Sequence, residues 1–182
     1  MSKVKFDVLE STCVPLPLEN VDTDQIIPAR FLSATSREGF GNNLFRDWRY
    51  LKSGEANSEF VLNDPKFGGK VLVAGKNFGS GSSREHAVWS IRGAKVGCVI
   101  AQTFARIFYR NAINCGFYVI ELADVFKKIS DGDEIEIDYK AGLIRNKTSG
   151  KNIEFNPLPD FALEIIKNGG LLDHITKKVV KK

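Results

Sequence analysis

Three glycines within seven positions, Gly75, Gly79 and Gly81, break the chain between an apolar run and an amphipathic segment, and that junction restricts the folds open to it. Val71, Leu72 and Val73 form the kind of short β-branched run that fills a strand covered on both faces. Glycines permit positive φ and let backbone N–H groups turn together toward a small anion, a geometry that side chains would obstruct. Ser82 followed by Glu85 reads as a capping box. A helix is therefore expected to start at Ser82, aim its positive end at whatever the loop holds, and stop at Gly93. The loop is not a nucleotide fingerprint, because Gly79-Ser80-Gly81 lacks the third glycine of GxGxxG and no Gly-Lys-Ser/Thr ending marks a P-loop. A carboxylate suits it better than a pyrophosphate. An ordinary surface turn is the competing reading, but two hydroxyls and the Arg84 guanidinium crowd together around Phe78, and that density favours a site.

Downstream, Val96–Ala101 reads as a second buried strand, Thr103 as the N-cap of a helix ending before Gly116, and Phe117–Leu122 as a third strand. Phe104, Ile107, Phe108, Ala112 and Cys115 fall on one helical face, with Arg106 and Arg110 on another. Strands alternating with helices in this way imply a parallel βαβ core, so the fold class is α/β. Glu134–Tyr139 then alternates polar and apolar residues, and with segments near 143–146 and 152–155 it makes a small antiparallel meander. Pro159-Asp160 opens a C-terminal helix with Phe161, Ile165 and Ile166 inward and Gly169-Gly170 at its end. Residues 33–59 are polar and weakly periodic, the signature of a long mobile loop, with Phe40 between Gly39 and Gly41 as an apolar tip able to swing over a site.

Composition narrows the classes. A chain of 182 residues with 43% hydrophobic residues forms one core, and 1–182 is read as a single domain. The net charge of +4 owes much to Lys177, Lys178, Lys181 and Lys182, expected to form a frayed, solvated tail, and no basic stripe interleaves with aromatics to suggest nucleic acid. Met1–Asp7 carries no apolar signal region and no stretch approaches a membrane span, which points to the cytoplasm. Cys13, Cys98 and Cys115 are scattered, so neither a disulfide framework nor a metal site is expected, and Cys98 reads as a small buried hydrophobe. An iron–sulfur cluster needs several thiolates together. If the chemistry needs one, another polypeptide brings it.

The string Gly75-Lys76-Asn77-Phe78-Gly79-Ser80-Gly81-Ser82-Ser83-Arg84-Glu85-His86-Ala87 resembles the active-site loop of the aconitase superfamily's swivelling domain. Asn20–Pro28, containing Thr23-Asp24, the run Phe104–Ala112 and Phe45–Tyr50 agree with it in order, and together they resemble the small-subunit family of the isopropylmalate dehydratases. The resemblance implies a swivelling β/β/α domain and a hydro-lyase that isomerises a hydroxy diacid through an alkene. It also implies a [4Fe-4S] cluster carried by a separate large subunit and none on this chain. It gives Ser82 the role of general base, Ser83 and Arg84 contact with substrate, and Asp24 support from across the cleft. An Asx-turn before Pro28 is the competing role for Asp24. Ser82 faces a conflict, since capping and catalysis want the same oxygen. His86 reads as a polar helix residue one turn away. The arginine that full aconitases place after the Thr-Asp motif has no unique counterpart among Arg37, Arg46 and Arg49, and an apolar surface near Phe31, Leu32 and Phe40 is expected to replace it and to accept an isopropyl group. Related diacid dehydratases acting on homoaconitate, citramalate or methylmalate, a non-catalytic anion-binding module, and a purely structural subunit are the alternatives.

Overall fold

The structure, a computed structural model, describes residues 8–32 and 39–180. Its frame is one seven-stranded sheet in the order β4-β3-β2-β1-β5-β6-β7. The expected strands are β2 (Val71–Ala74), β3 (Cys98–Ala101) and β4 (Tyr118–Glu121), which pair in parallel, and β5 (Glu134–Asp138), β6 (Leu143–Asn146) and β7 (Asn152–Glu154), which pair antiparallel. The strand β1 (Val8–Leu16) joins the two halves, running parallel to β2 and antiparallel to β5. Its two halves have different neighbours: Val8–Thr12 pairs with β5, and Cys13–Leu16 with β2. Pro15 is tolerated because the β5 pairing has already ended at Thr12.

Burial follows the two kinds of pairing. Every residue of β2 and β3 is buried, as a parallel strand covered on both faces requires, whereas β5, β6 and β7 alternate buried with exposed or half-exposed residues. Alternate residues of the parallel strands feed two cores. Leu72, Ala74, Val99 and Ala101 pack beneath the helices α1 (Thr23–Ile26), α3 (His86–Gly93) and α4 (Arg106–Asn114), while Val71, Val73, Cys98 and Ile100 meet Ile135, Ile137, Ile144 and Ile153 of the curled antiparallel half. Short helices α2 (Arg46–Arg49) and α5 (Val125–Lys128) fill the connections.

Several local expectations change. Ile107 is 49% exposed and Phe161 66% exposed, so the inward faces of α4 and of α6 (Asp160–Lys167) are narrower than the periodicity suggested, and α6 turns Ala162, Leu163, Ile165 and Ile166 inward. The chain continues past Gly169-Gly170 into α7 (Leu171–Val180), where Lys177 and Lys178 belong to a helix, not to a frayed tail; Lys181 and Lys182 lie outside the described residues, as do residues 1–7. Thr103 does not cap α4, whose N-cap is Ala105, because its hydroxyl already accepts the Asn77 N–H at 2.8 Å. Phe40 is 2% exposed and makes edge contacts with the His86 and Trp89 rings, so it is core and not the tip of a lid. Gly41 beside it touches Gly93 so closely that a Cβ on Gly41 would lie 2.1 Å from the Gly93 carbonyl carbon.

Burial pushes the Cys13 and Cys98 thiols up to about 12, with the Asp133 charge adding to the effect at Cys13. An unfolded thiol ionises near ~8.5, so the unfolded chain releases these protons first, and their contribution is fully present below that pH and lost as the pH rises toward 12. Denaturant titrations at pH 8 and pH 10 are expected to show falling stability, by up to ~1.4 kcal/mol per pH unit per thiol. Cys98→Ala should remove about half of that slope.

Candidate active site

Two stretches of chain hold the glycine loop from either side. From the first, Leu18 accepts the Gly75 N–H at 3.0 Å, Val21 accepts those of Gly79 at 2.7 Å and Ser80 at 3.2 Å, and the Thr23 N–H donates to the Ser80 carbonyl at 2.8 Å. From the second, the Thr103 carbonyl accepts the Phe78 N–H and the Phe78 carbonyl accepts that of Ala105, each at 3.0 Å. Phe78 is fully buried against Phe104 and Phe108, which gives it a core role inside the polar loop. Gly79 adopts φ +80° directly on the Phe108 ring, where a Cβ would lie 2.2 Å from Cγ. Asn20 and Asn77, both left-handed, close the seam with a 2.9 Å side-chain hydrogen bond.

This stitching overturns the picture of a loop whose amides all converge on an anion. The N–H groups of Gly75, Asn77, Phe78, Gly79 and Ser80 are spent inside the protein. Those of Gly81, Ser83 and Arg84 have no acceptor among the described residues, and Gly81 and Ser83 are exposed. The donors left for a ligand therefore flank Ser82.

Ser82 does not cap a helix. α3 starts at His86 with Glu85 as its N-cap and no side-chain cap, because Thr23 holds Ser82 further back. The Ser82 N–H donates to Thr23 Oγ1 at 3.1 Å, and the two hydroxyl oxygens lie 3.2 Å apart. A capping box does form in the partner segment, where Asp22 accepts the Gln25 N–H at 2.8 Å and Gln25 accepts that of Asp22 at 2.9 Å. Asp22 thus does the local backbone work that an Asx-turn would have given Asp24. Asp24 instead accepts from Arg84 Nη1 at 2.7 Å, in an ion pair whose carboxylate is exposed and whose arginine is half-buried.

The structure accordingly brings Ser82, Ser83, Arg84 and Asp24 to one surface and adds Thr23, which sequence reasoning missed. The Ser83 carbonyl accepts from Asn111 Nδ2 at 2.9 Å, tying the loop to α4. The His86 ring packs between Phe40 and Trp89, and its Nδ1 is buried without a partner among the described residues. Of the three undecided arginines, Arg49 donates to Asn63 at 3.1 Å, Arg46 stacks on Tyr50 at 3.8 Å, and Arg37 lies outside the described residues. A hollow of about 550 Å³ between α4 and α6, lined by Phe104, Arg106, Tyr109 and Phe161, does not include the Ser82 loop.

The aconitase C-terminal domain family matches residues 3–125, a span holding both the Thr23-Asp24 segment and the Ser82 loop. The chain belongs to this family. A 3-isopropylmalate dehydratase small subunit from Cytophaga hutchinsonii is 56% identical over 140 residues, 77% of this chain and 69% of that one. An isopropylmalate/citramalate isomerase small subunit from Methanocaldococcus jannaschii is 42% identical, covering 89% of this chain and 90% of its own. The crystal structure of a 3-isopropylmalate dehydratase from the same organism superposes with a TM-score of 0.77 at 34% identity, over 95% of this chain and 96% of that one. Within this aconitase C-terminal domain no group of three or more His, Cys, Asp or Glu side chains gathers as a metal site among the described residues. Its three cysteines are buried and gather no set of further ligands among the described residues, so the residues present do not fit an iron–sulfur cluster. No helix of the described residues is long and apolar enough to cross a membrane.

The two left-handed glycines are expected to differ on substitution. Gly79→Ala should cost about 3 kcal/mol or more, combining backbone strain with overpacking on Phe108. Gly81→Ala, at φ +94° with nothing nearer than Thr23 Oγ1 at 3.3 Å, should cost about 1 kcal/mol. Urea denaturation of the two variants checks both values.

Proposed function

We propose that this chain is the small subunit of a two-polypeptide hydro-lyase that converts 2-isopropylmalate to 3-isopropylmalate by dehydration and rehydration, a step of leucine biosynthesis carried out in the cytoplasm. The observation that carries the reading is the freedom of Ser82. Among the described residues its oxygen is not committed to a helix cap, touches one protein hydroxyl, and is flanked by the N–H groups of Gly81, Ser83 and Arg84, which have no acceptor there. Those donors and the guanidinium suit a developing oxyanion, which an alcohol needs if it is to act as a base near neutrality.

With its own proton already released to solvent, Ser82 Oγ takes the C–H proton, the electron pair left on carbon becomes the alkene bond, and the neighbouring C–O bond breaks, its hydroxide leaving as water with a proton drawn from the solvent side of the cleft; the reverse addition of water, with Ser82 returning its proton to carbon, places the hydroxyl on the other carbon. Arg84, held by Asp24 through one nitrogen, presents its remaining N–H groups to a substrate carboxylate with Ser83 alongside. The iron–sulfur cluster of this chemistry belongs, in this reading, to the large subunit, and no step on this chain runs through it. The exposed position of the loop suits a cleft whose other wall the large subunit supplies, with residues 1–182 moving as one swivelling domain. The M. jannaschii isomerase named for both isopropylmalate and citramalate supports a second reading, in which a smaller diacid is also accepted.

The test is co-expression with a cluster-bearing large subunit and anaerobic assay of alkene absorbance with isopropylmalate and citramalate. Ser82→Ala is expected to abolish turnover while circular dichroism and complex formation stay unchanged, and turnover that survives the substitution rejects the reading. Arg84→Lys should raise KM by roughly tenfold or more, because lysine cannot reproduce the planar fork.

A further inference from the structure

We infer that Thr23 is a positioning residue for the reaction, supplying a protein hydroxyl that stabilises Ser82 in its proton-accepting form. The inference rests on the reading of Ser82 as base. Thr23 is 2% exposed, and Gly81 lies close enough that a Cβ on it would sit 3.3 Å from Thr23 Oγ1, so bulk water has little access to this hydroxyl. Two hydrogen bonds fix its surroundings, and both go to the same residue: the Ser82 N–H at 3.1 Å and the Ser82 hydroxyl at 3.2 Å.

Counting protons and lone pairs sets the direction. A threonine hydroxyl has one proton and two acceptor sites. One acceptor site is filled by the Ser82 N–H, which leaves the proton for Ser82 Oγ. While Ser82 is neutral, either hydroxyl satisfies the oxygen–oxygen contact as donor. Once Ser82 has lost its proton, only Thr23 is able to donate, and the bond becomes charge-assisted and roughly twice as strong. A contact of 3.2 Å is long for two hydroxyls and leaves room to tighten as charge develops. Thr23 therefore favours the deprotonated state over the neutral one and lowers the proton affinity of Ser82, while the Ser82 N–H contact fixes the residue's orientation. The Thr23 N–H is meanwhile bound to the Ser80 carbonyl at 2.8 Å, so the backbone on both sides of the contact is clamped.

The test compares Thr23→Val, Thr23→Ser and Thr23→Ala in the co-expressed complex, each checked for folding and assembly. Thr23→Val keeps the buried volume and removes the donor. It is expected to lower kcat by ~100-fold, in the range of a lost oxyanion donor, with KM within about twofold. Its deficit should shrink as the pH rises from 7 to 9.5, because a base of raised proton affinity recovers at higher pH. Thr23→Ser should restore most of the rate. If the valine variant fails to fold, Thr23→Ala tests the same donor and should show the same pH-dependent loss. A rate that survives loss of the hydroxyl, or a deficit that is flat with pH and not rescued by serine, overturns the inference. Ser82→Ala measured alongside separates the two readings: turnover surviving that change removes the base itself, whereas an inactive Ser82→Ala with a fully active Thr23→Val removes only the role of Thr23.

Discussion

One carbonyl oxygen, that of Val21, receives two N–H groups from the glycine loop, and the rest of the site is organised around that junction. By accepting from Gly79 and Ser80 it sets the depth at which the loop meets the N-terminal segment. Phe78 then goes into the core beside Phe108, and Ser82 is delivered to Thr23. Gly79 has to be glycine twice over, for its left-handed backbone and for the ring pressed against it. The polar surface of the loop is thus the outer side of a packed structural element.

Strands that are buried on both faces carry their identity in composition, which is why β2 and β3 were legible; β4, at the sheet edge, was legible from the apolar run through Phe117–Leu122, and the βαβ order followed. The antiparallel strands were legible for the opposite reason, since one face meets solvent and the residues alternate. β1 was not, although it holds the sheet together. Its segment contains Glu10, Ser11, Thr12 and Pro15, and it serves two partners with different pairing in successive halves, so it shows neither a continuous apolar run nor a clean alternation. α7 was hidden by Gly169-Gly170, which end α6 and permit a second helix immediately afterwards.

The site divides along similar lines. Ser82, Ser83 and Arg84 lie within three consecutive positions, and Asp24 belongs to a motif that could be recognised in the sequence. Thr23 stands in the same motif, but its function depends on contact with a residue fifty-nine positions away, and no local pattern announces that. The capping signal at Ser82 was a genuine pattern misapplied, because a tertiary contact with Thr23 outcompeted the local bond it predicted; the same type of box formed three residues long at Asp22 and Gln25, where nothing competes. Phe40 misled for a related reason. Flanking glycines signal mobility in a sequence, yet Gly41 is there to let two backbones touch.

That backbone contact has an evolutionary consequence. Gly41 against Gly93, together with the hydrogen bond from the Phe45 N–H to the Ile26 carbonyl, anchors the chain downstream of position 39, and the Pro28–Leu32 turn anchors it upstream. The two glycines are bound to one another, since a Cβ on Gly93 would lie 2.8 Å from the Gly41 N just as one on Gly41 would strike Gly93. A related chain that changes one of them has to reshape the backbone at the other, so the pair drifts together or not at all.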